Sequence, residues 1–223
     1  MPENKNAPNK IRAVLFDMDG VLLDSEDFIT RAGMEMFREK GYEVKYEDFK
    51  EFTGMGENRF LGGVAEKRGI PFELEKDKAR AYEIYAALIK GNLNPLPGVN
   101  DFISKCKNRE LKIAVATSAD KIKMDLNLKE IGFSESDFDA TINGLEVEHK
   151  KPDPEIFIKA AQKLSVNTVS CLVVEDAVSG VKAAKAAGCK CLALTTSFNA
   201  GDFPEADWVS KTLADAPKEC LEW

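Results

Sequence analysis

The sequence predicts an α/β protein with a parallel sheet and a helical block inserted after the first strand. Three observations carry this prediction. Short apolar runs alternate with segments of helical periodicity over most of the chain. The strand-like runs give way to polar loops, as at Val14-Leu15-Phe16-Asp17-Met18-Asp19-Gly20. One stretch, residues 26 to 92, has helical patterns alone and is too long for a plain crossover between neighbouring strands.

The first ten residues are rich in Pro, Asn and Lys and have no apolar core, so they are expected to form a disordered tail, not a signal peptide. A strand over 11 to 16 follows. In the block 26 to 92, Phe28, Ile29, Ala32, Met36 and Phe37 recur at helical spacing, as do Phe60, Leu61, Val64 and Ala65. The Met34, Met36 and Phe37 cluster reads as packing. Gly69-Ile70-Pro71 stops one helix, and Asn92-Leu93-Asn94-Pro95-Leu96-Pro97-Gly98 reads as a return linker. Alternation then resumes: helix 98 to 109, strand 112 to 117, helix 120 to 131, a short strand at 138 to 142, helix 154 to 164, strand 171 to 175, helix 177 to 188 and strand 190 to 195. Such alternation implies a parallel sheet covered on both faces. The expected division is an α/β core of residues 11–25 and 93–223 with a helical cap domain of 26–92.

Composition bounds the function. At 223 residues, 44% hydrophobic and 31% charged, the chain can bury a sizeable core. A net charge of −7 argues against nucleic acid or an anionic membrane as the main partner. No apolar run approaches the ~20 residues needed to span a bilayer. Five cysteines without a regular framework indicate reduced thiols and a cytoplasmic protein. Cys189 and Cys191 would point to one face of a strand as buried small hydrophobes. The single His149 cannot build a histidine-based zinc site. Nothing fixes the oligomeric state, and a monomer is the expectation.

The chemistry-bearing residues cluster at predicted strand ends, where ligands bind in open α/β sheets. Asp17 and Asp19 follow the first strand. Taken alone they read first as an Asp-Gly turn, but two adjacent carboxylates also invite a cation or a shared proton. Thr117 and Ser118 end the second strand, Lys150-Lys151-Pro152-Asp153-Pro154 follows the third, and Glu175-Asp176 ends the fourth. This ordered set resembles the haloacid dehalogenase superfamily of phosphotransferases, from Ile11 to about Thr196. Phe16-Asp17-Met18-Asp19-Gly20-Val21-Leu22-Leu23-Asp24-Ser25, with a helical insert straight after it, looks like the superfamily's β-phosphoglucomutase-like group of phosphatases and mutases.

The resemblance implies a Rossmann-like core with a helical cap, Mg²⁺ as cofactor and a small phosphorylated metabolite, such as a sugar phosphate, as substrate. It makes Asp17 the nucleophile that forms an aspartyl-phosphate and Asp19 the general acid and base. A carboxylate with a pKa of about 4 is ionised at neutral pH and needs no activating base. Metal ligation falls to Asp17, the backbone carbonyl of Asp19 and Asp176, with Glu175 nearby. Phosphate binding falls to Thr117, with Ser118 beside it, and to Lys151. Relatives place Gly before the Lys-Pro, whereas this chain has Lys150, which could share the role of Lys151. The dehalogenases themselves lack an acid at the position of Asp19, so its presence favours phosphoryl chemistry.

In the cap, the loop Phe52-Thr53-Gly54-Met55-Gly56-Glu57-Asn58-Arg59 resembles the family's substrate-contacting loop. Gly54, Gly56 and Arg59 are its candidate contacts, although Arg59 could equally be a solvated helix charge. In β-phosphoglucomutases a cap-loop Arg grips the distal phosphate and a His lies on the first cap helix. The corresponding residues here are Glu57 and Ile29, which favours a phosphatase over a mutase. The cap, with Thr117 to Lys123, also resembles the dehalogenase-like domains of the plant suppressor-of-quenching group. Two further readings are a non-catalytic module that keeps the fold and a phosphonate hydrolase using Lys40, Lys45 or Lys50 as a Schiff base.

Overall fold

The computed structural model describes residues 10 to 53 and 55 to 223; residues 1 to 9 of the expected tail, and Gly54, lie outside them. Among the described residues, six parallel strands form one sheet in the order β3-β2-β1-β4-β5-β6. They are β1 (Ala13–Phe16), β2 (Lys112–Ala116), β3 (Ala140–Ile142), β4 (Cys171–Glu175), β5 (Lys190–Leu194) and β6 (Trp208–Ser210). The sequence reading lacks β6. It is a three-residue edge strand with half-exposed or exposed side chains, so no apolar run marks it.

Alternating side chains of the central strands feed two hydrophobic layers, as strands buried on both faces require. Val14, Phe16, Val115 and Val174 pack with Phe102 and Ile103 of α4 (Val99–Asn108) and with Met124 and Leu128 of α5 (Lys121–Glu130). Leu15, Ala116, Val173 and Cys191 face α6 (Glu155–Lys163) and α7 (Val178–Ala186) through Phe157, Ala160, Val181 and Ala184. Cys189 and Cys191 share this second layer, and all five thiols are free and buried.

Helices α1 (Glu26–Glu39), α2 (Glu57–Arg68) and α3 (Leu74–Ile89) lie between β1 and β2 in sequence. Phe37, Phe49 and Phe60 centre this insert, with Phe49 and Phe60 ring centroids 5.0 Å apart, and its apolar cluster runs on into that of the α4–α5 side. Gly69 ends α2 in the left-handed region at φ 63°, where a side chain would be strained. The outgoing and return linkers run side by side, with Leu96 N–H donating to Leu22 O at 2.9 Å. Among the described residues no helix is long and apolar enough to cross a membrane.

Candidate active site

Asp17 follows β1 directly and Glu175-Asp176 end β4. These strands are hydrogen-bonded neighbours, and Asp17 N–H donates to Val174 O at 3.0 Å. The pairing carries three carboxylates to one place: oxygens of Asp17, Glu175 and Asp176 lie within 4.8 Å of one another, and all three residues are buried. Lys151, from the loop after β3, stands between two of them. Its Nζ is 2.5 Å from Asp17 Oδ1 and 2.6 Å from Glu175 Oε1, and 5.1 Å from the centre of the Phe157 ring. Glu175 is further fixed by the backbone N–H groups of Asp176 and Ala177, each at 3.0 Å. Ser197 Oγ donates to Asp176.

Electrostatics follow from that count. Three buried carboxylates face one ammonium, and burial, with the neighbouring Glu175, pushes Asp17 up to about 7 and Asp176 up to about 8. For Lys151, burial works against the charge, but Asp17 and Glu175 more than offset it and raise its pKa. An all-oxygen, acid-rich cluster with excess negative charge suits a hard divalent cation. Two glycines keep room for the carboxylates: a Cβ on Gly20 would overlap that of Asp176, and one on Gly180 would overlap that of Glu175.

Asp19, two residues beyond Asp17, is held at both oxygens. Oδ1 accepts from the N–H of Ser25, at 3.3 Å, and from its hydroxyl, while Oδ2 lies 2.8 Å from Lys123 Nζ on α5. Thr117 ends β2 with its N–H on Ile142 O, and its hydroxyl oxygen accepts from Ala119 N–H at 3.1 Å. Ser118 is half-buried, and its carbonyl borders both Gly144 and Gly56. Lys150 donates to Gly144 O and reaches the side of Gly56, so it is not a freely solvated charge; burial lowers its pKa. Only Lys151, of the two lysines, contacts Asp17. A second acidic grouping, His149, Asp153 and Glu155, involves an exposed His149, and Glu155 is already engaged by Lys159 at 2.6 Å.

A family model, described as haloacid dehalogenase-like hydrolase, matches residues 11–188. The chain is a haloacid dehalogenase-like hydrolase. The suppressor of quenching 1 protein of Arabidopsis thaliana, named as chloroplastic, is 46% identical over 194 residues; the match covers 85% of this chain but only 18% of that much longer protein. A phosphorylated carbohydrates phosphatase of Thermotoga maritima is 33% identical over 182 residues, covering 80% of the chain and 82% of the relative. Among solved structures, CbbY of Rhodobacter sphaeroides in complex with phosphate superposes with a TM-score of 0.85 at 24% identity, covering 96% of this chain and 100% of that one. A CbbY variant bound to xylulose-(1,5)bisphosphate gives 0.83 at 25% identity, covering 92% and 95%.

The insert of this hydrolase meets the core through charged side chains that sequence reasoning did not select. Lys123 is buried between Asp19 and Glu57, whose Oε1 lies 3.6 Å from its Nζ, and Glu57 Oε2 accepts from Asp120 N–H at 3.1 Å. Lys78 of α3 pairs with Asp120 at 2.9 Å. A helix interior reading "KIKMDLNLK" gave no sign that Lys123 points inward; its partners come from segments far away in sequence.

Arg59, a candidate substrate contact, pairs its guanidinium with Glu66 at 2.7 Å on the exposed side of α2 and lays it over the Phe52 ring, 5.2 Å from its centre, the arrangement of a surface helix charge. Gly56 does reach the core, facing Ser118 O, whereas Gly54 lies outside the described residues. Ile29 is buried in the apolar cluster.

Proposed function

We propose that this hydrolase is a Mg²⁺-dependent phosphatase acting on a small phosphorylated metabolite, with sugar phosphates as the substrate class. One observation carries the reading: Lys151 joins Asp17 to Glu175 in a buried acidic cluster that needs one more cation to balance its charge. The names of the Thermotoga relative and of the CbbY complex support the sugar-phosphate class.

In this reading Asp17 Oδ attacks phosphorus, the phosphorus–oxygen bond to the alcohol breaks, and the phosphoryl group resides on Asp17. Asp19 gives a proton to the leaving alkoxide, then takes one from the water that releases phosphate from Asp17. Thr117 and Ser118 hold phosphoryl oxygens, and Lys151 offsets the charge that develops between Asp17 and the phosphoryl group. Mg²⁺, held by Asp17, Asp176 and the Asp19 carbonyl with Glu175 beside it, would neutralise the repulsion between the carboxylates and the incoming phosphate. Residues 26–92 act as a cap over a core of 11–25 and 93–223, excluding water and selecting the leaving group. Gly56, beside Ser118, is a cap residue placed to meet that group. The reading extends to a monomer in the cytoplasm, where the five free thiols stay reduced.

A phosphate-release screen over a metabolite panel, run with Mg²⁺ and with EDTA, tests the proposal. The expected result is Mg²⁺-dependent release from one or more sugar phosphates. No release from any phosphate monoester, or release that survives exhaustive chelation, would sink it.

A further inference from the structure

We propose that Lys123 is a positioning residue that couples the helical insert to the placement of Asp19. This rests on the reading of Asp19 as the general acid and base. Lys123 is 5% exposed, so its ammonium has lost water and must be satisfied by protein groups. Two carboxylates do this: Asp19, from the loop after β1, at 2.8 Å, and Glu57, from the first turn of α2 in the insert, at 3.6 Å. Tyr85 of α3 donates its hydroxyl to Asn127, whose amide reaches Ser25 Oγ at 3.4 Å. Since Ser25 holds the other oxygen of Asp19, the orientation of that carboxyl is set by Ser25 on one side and Lys123 on the other.

The two carboxylates belong to different parts of the molecule, and this gives Lys123 its role. With the insert seated, Glu57 and Asp19 share a desolvated ammonium, and that ammonium holds Asp19 in one orientation. With the insert displaced, Glu57 leaves, water reaches the ammonium, and its hold on Asp19 weakens. Closure therefore fixes Asp19 for proton transfer as well as covering the substrate. Glu57 stays anchored by Asp120 N–H, and Asp120 by Lys78, so the device is part of the seam between insert and core.

Leaving-group dependence separates this role from a structural one. An alkyl phosphate expels an alkoxide that needs a proton, whereas acetyl phosphate expels acetate, which needs none. Lys123→Met should lower kcat/KM, which reports the first phosphoryl transfer and not the shared hydrolysis of the aspartyl-phosphate, by about 10²-fold on the best alkyl phosphate of the screen and by less than about 3-fold on acetyl phosphate. Lys123→Arg should recover much of the loss, and Glu57→Gln should show the same selectivity for the alkyl ester. Equal losses on both substrates, or none on either, overturn the coupling. If the Met variant fails to fold, Lys123→Arg and Glu57→Gln decide by the same comparison. Wild-type protein that releases phosphate from no phosphate monoester of the metabolite panel overturns the phosphatase reading and this coupling with it, whereas an active wild type matched by its variants overturns the coupling alone.

Discussion

Gly20 and Asp176 fit together only because Gly20 has no side chain: a Cβ there would overlap the Asp176 carboxylate, and the backbone at φ +75° disfavours one. Gly20→Ala should therefore displace Asp176 while leaving Asp17 in place. The expected outcome is a Mg²⁺ requirement raised by about 10- to 100-fold, the usual scale for disturbing a ligand's support. Mg²⁺ titration of phosphate release checks it. An unchanged half-saturation would remove Asp176 from the metal site.

Lys151 carries the positive charge between Asp17 and Glu175, at 2.5 and 2.6 Å. Lys151→Met leaves two buried carboxylates facing each other. Breaking a buried pair of this kind costs on the order of 3 kcal/mol, and the variant should also lose turnover. Urea unfolding with Mg²⁺ present measures the first effect, and a wild-type midpoint would contradict it.

The pH dependence has a definite sign. Asp17 is raised from 3.8 to about 7 and Asp176 to about 8 in the folded chain, both chiefly by burial. A group whose folded pKa is raised binds its proton more tightly when folded, so its contribution is full below pH 4 and is lost as pH rises through the folded value. Metal-free protein should thus melt progressively earlier between about pH 4 and pH 8 from these two groups, and Mg²⁺ should reverse the loss by supplying the missing positive charge. Thermal melts across that range with EDTA and with Mg²⁺ test this. A Mg²⁺ effect as large at pH 4 as at pH 8 would count against it.

The sequence made the candidate site legible because its parts sit at strand ends. Asp17, Thr117 and Glu175 each follow an apolar run, and parallel pairing of β1 with β2 and β4 brings such ends together without further information. What stayed hidden depends on side-chain direction across the seam. Glu57 read as a departure from a substrate-binding cation, and only the fold reveals that it faces Lys123. Ser197, on Asp176, lies beyond β5 in a loop without periodicity. Arg59 lies two residues, roughly half a helical turn, beyond Glu57, so its side chain leaves the opposite face of α2, where Glu66 and Phe52 take it.

Glu57 also predicts the acceptor of the phosphoryl group. A mutase must hold a second phosphate in both orientations of its intermediate, and Glu57, engaged by Lys123 and Asp120 N–H, offers that phosphate no cation from the loop position where the mutases it resembles have an Arg. The Lys123 charge does not substitute, being already shared by Glu57 and Asp19. Phosphorus NMR on β-glucose 1-phosphate, with Mg²⁺ and a trace of the 1,6-bisphosphate, should therefore show inorganic phosphate without a build-up of glucose 6-phosphate. Rapid isomerisation with little free phosphate would establish a mutase instead.

The central claim is that Asp17 receives the phosphoryl group before water does. Its most direct test is peptide mass mapping of protein quenched in acid during turnover of its best substrate with Mg²⁺. The expected result is a phosphoryl adduct on the peptide containing Asp17, at that residue, absent from the Asp17→Asn variant, which should release no phosphate. Steady phosphate release with the adduct on another residue, or by Asp17→Asn at the wild-type rate, would contradict the account.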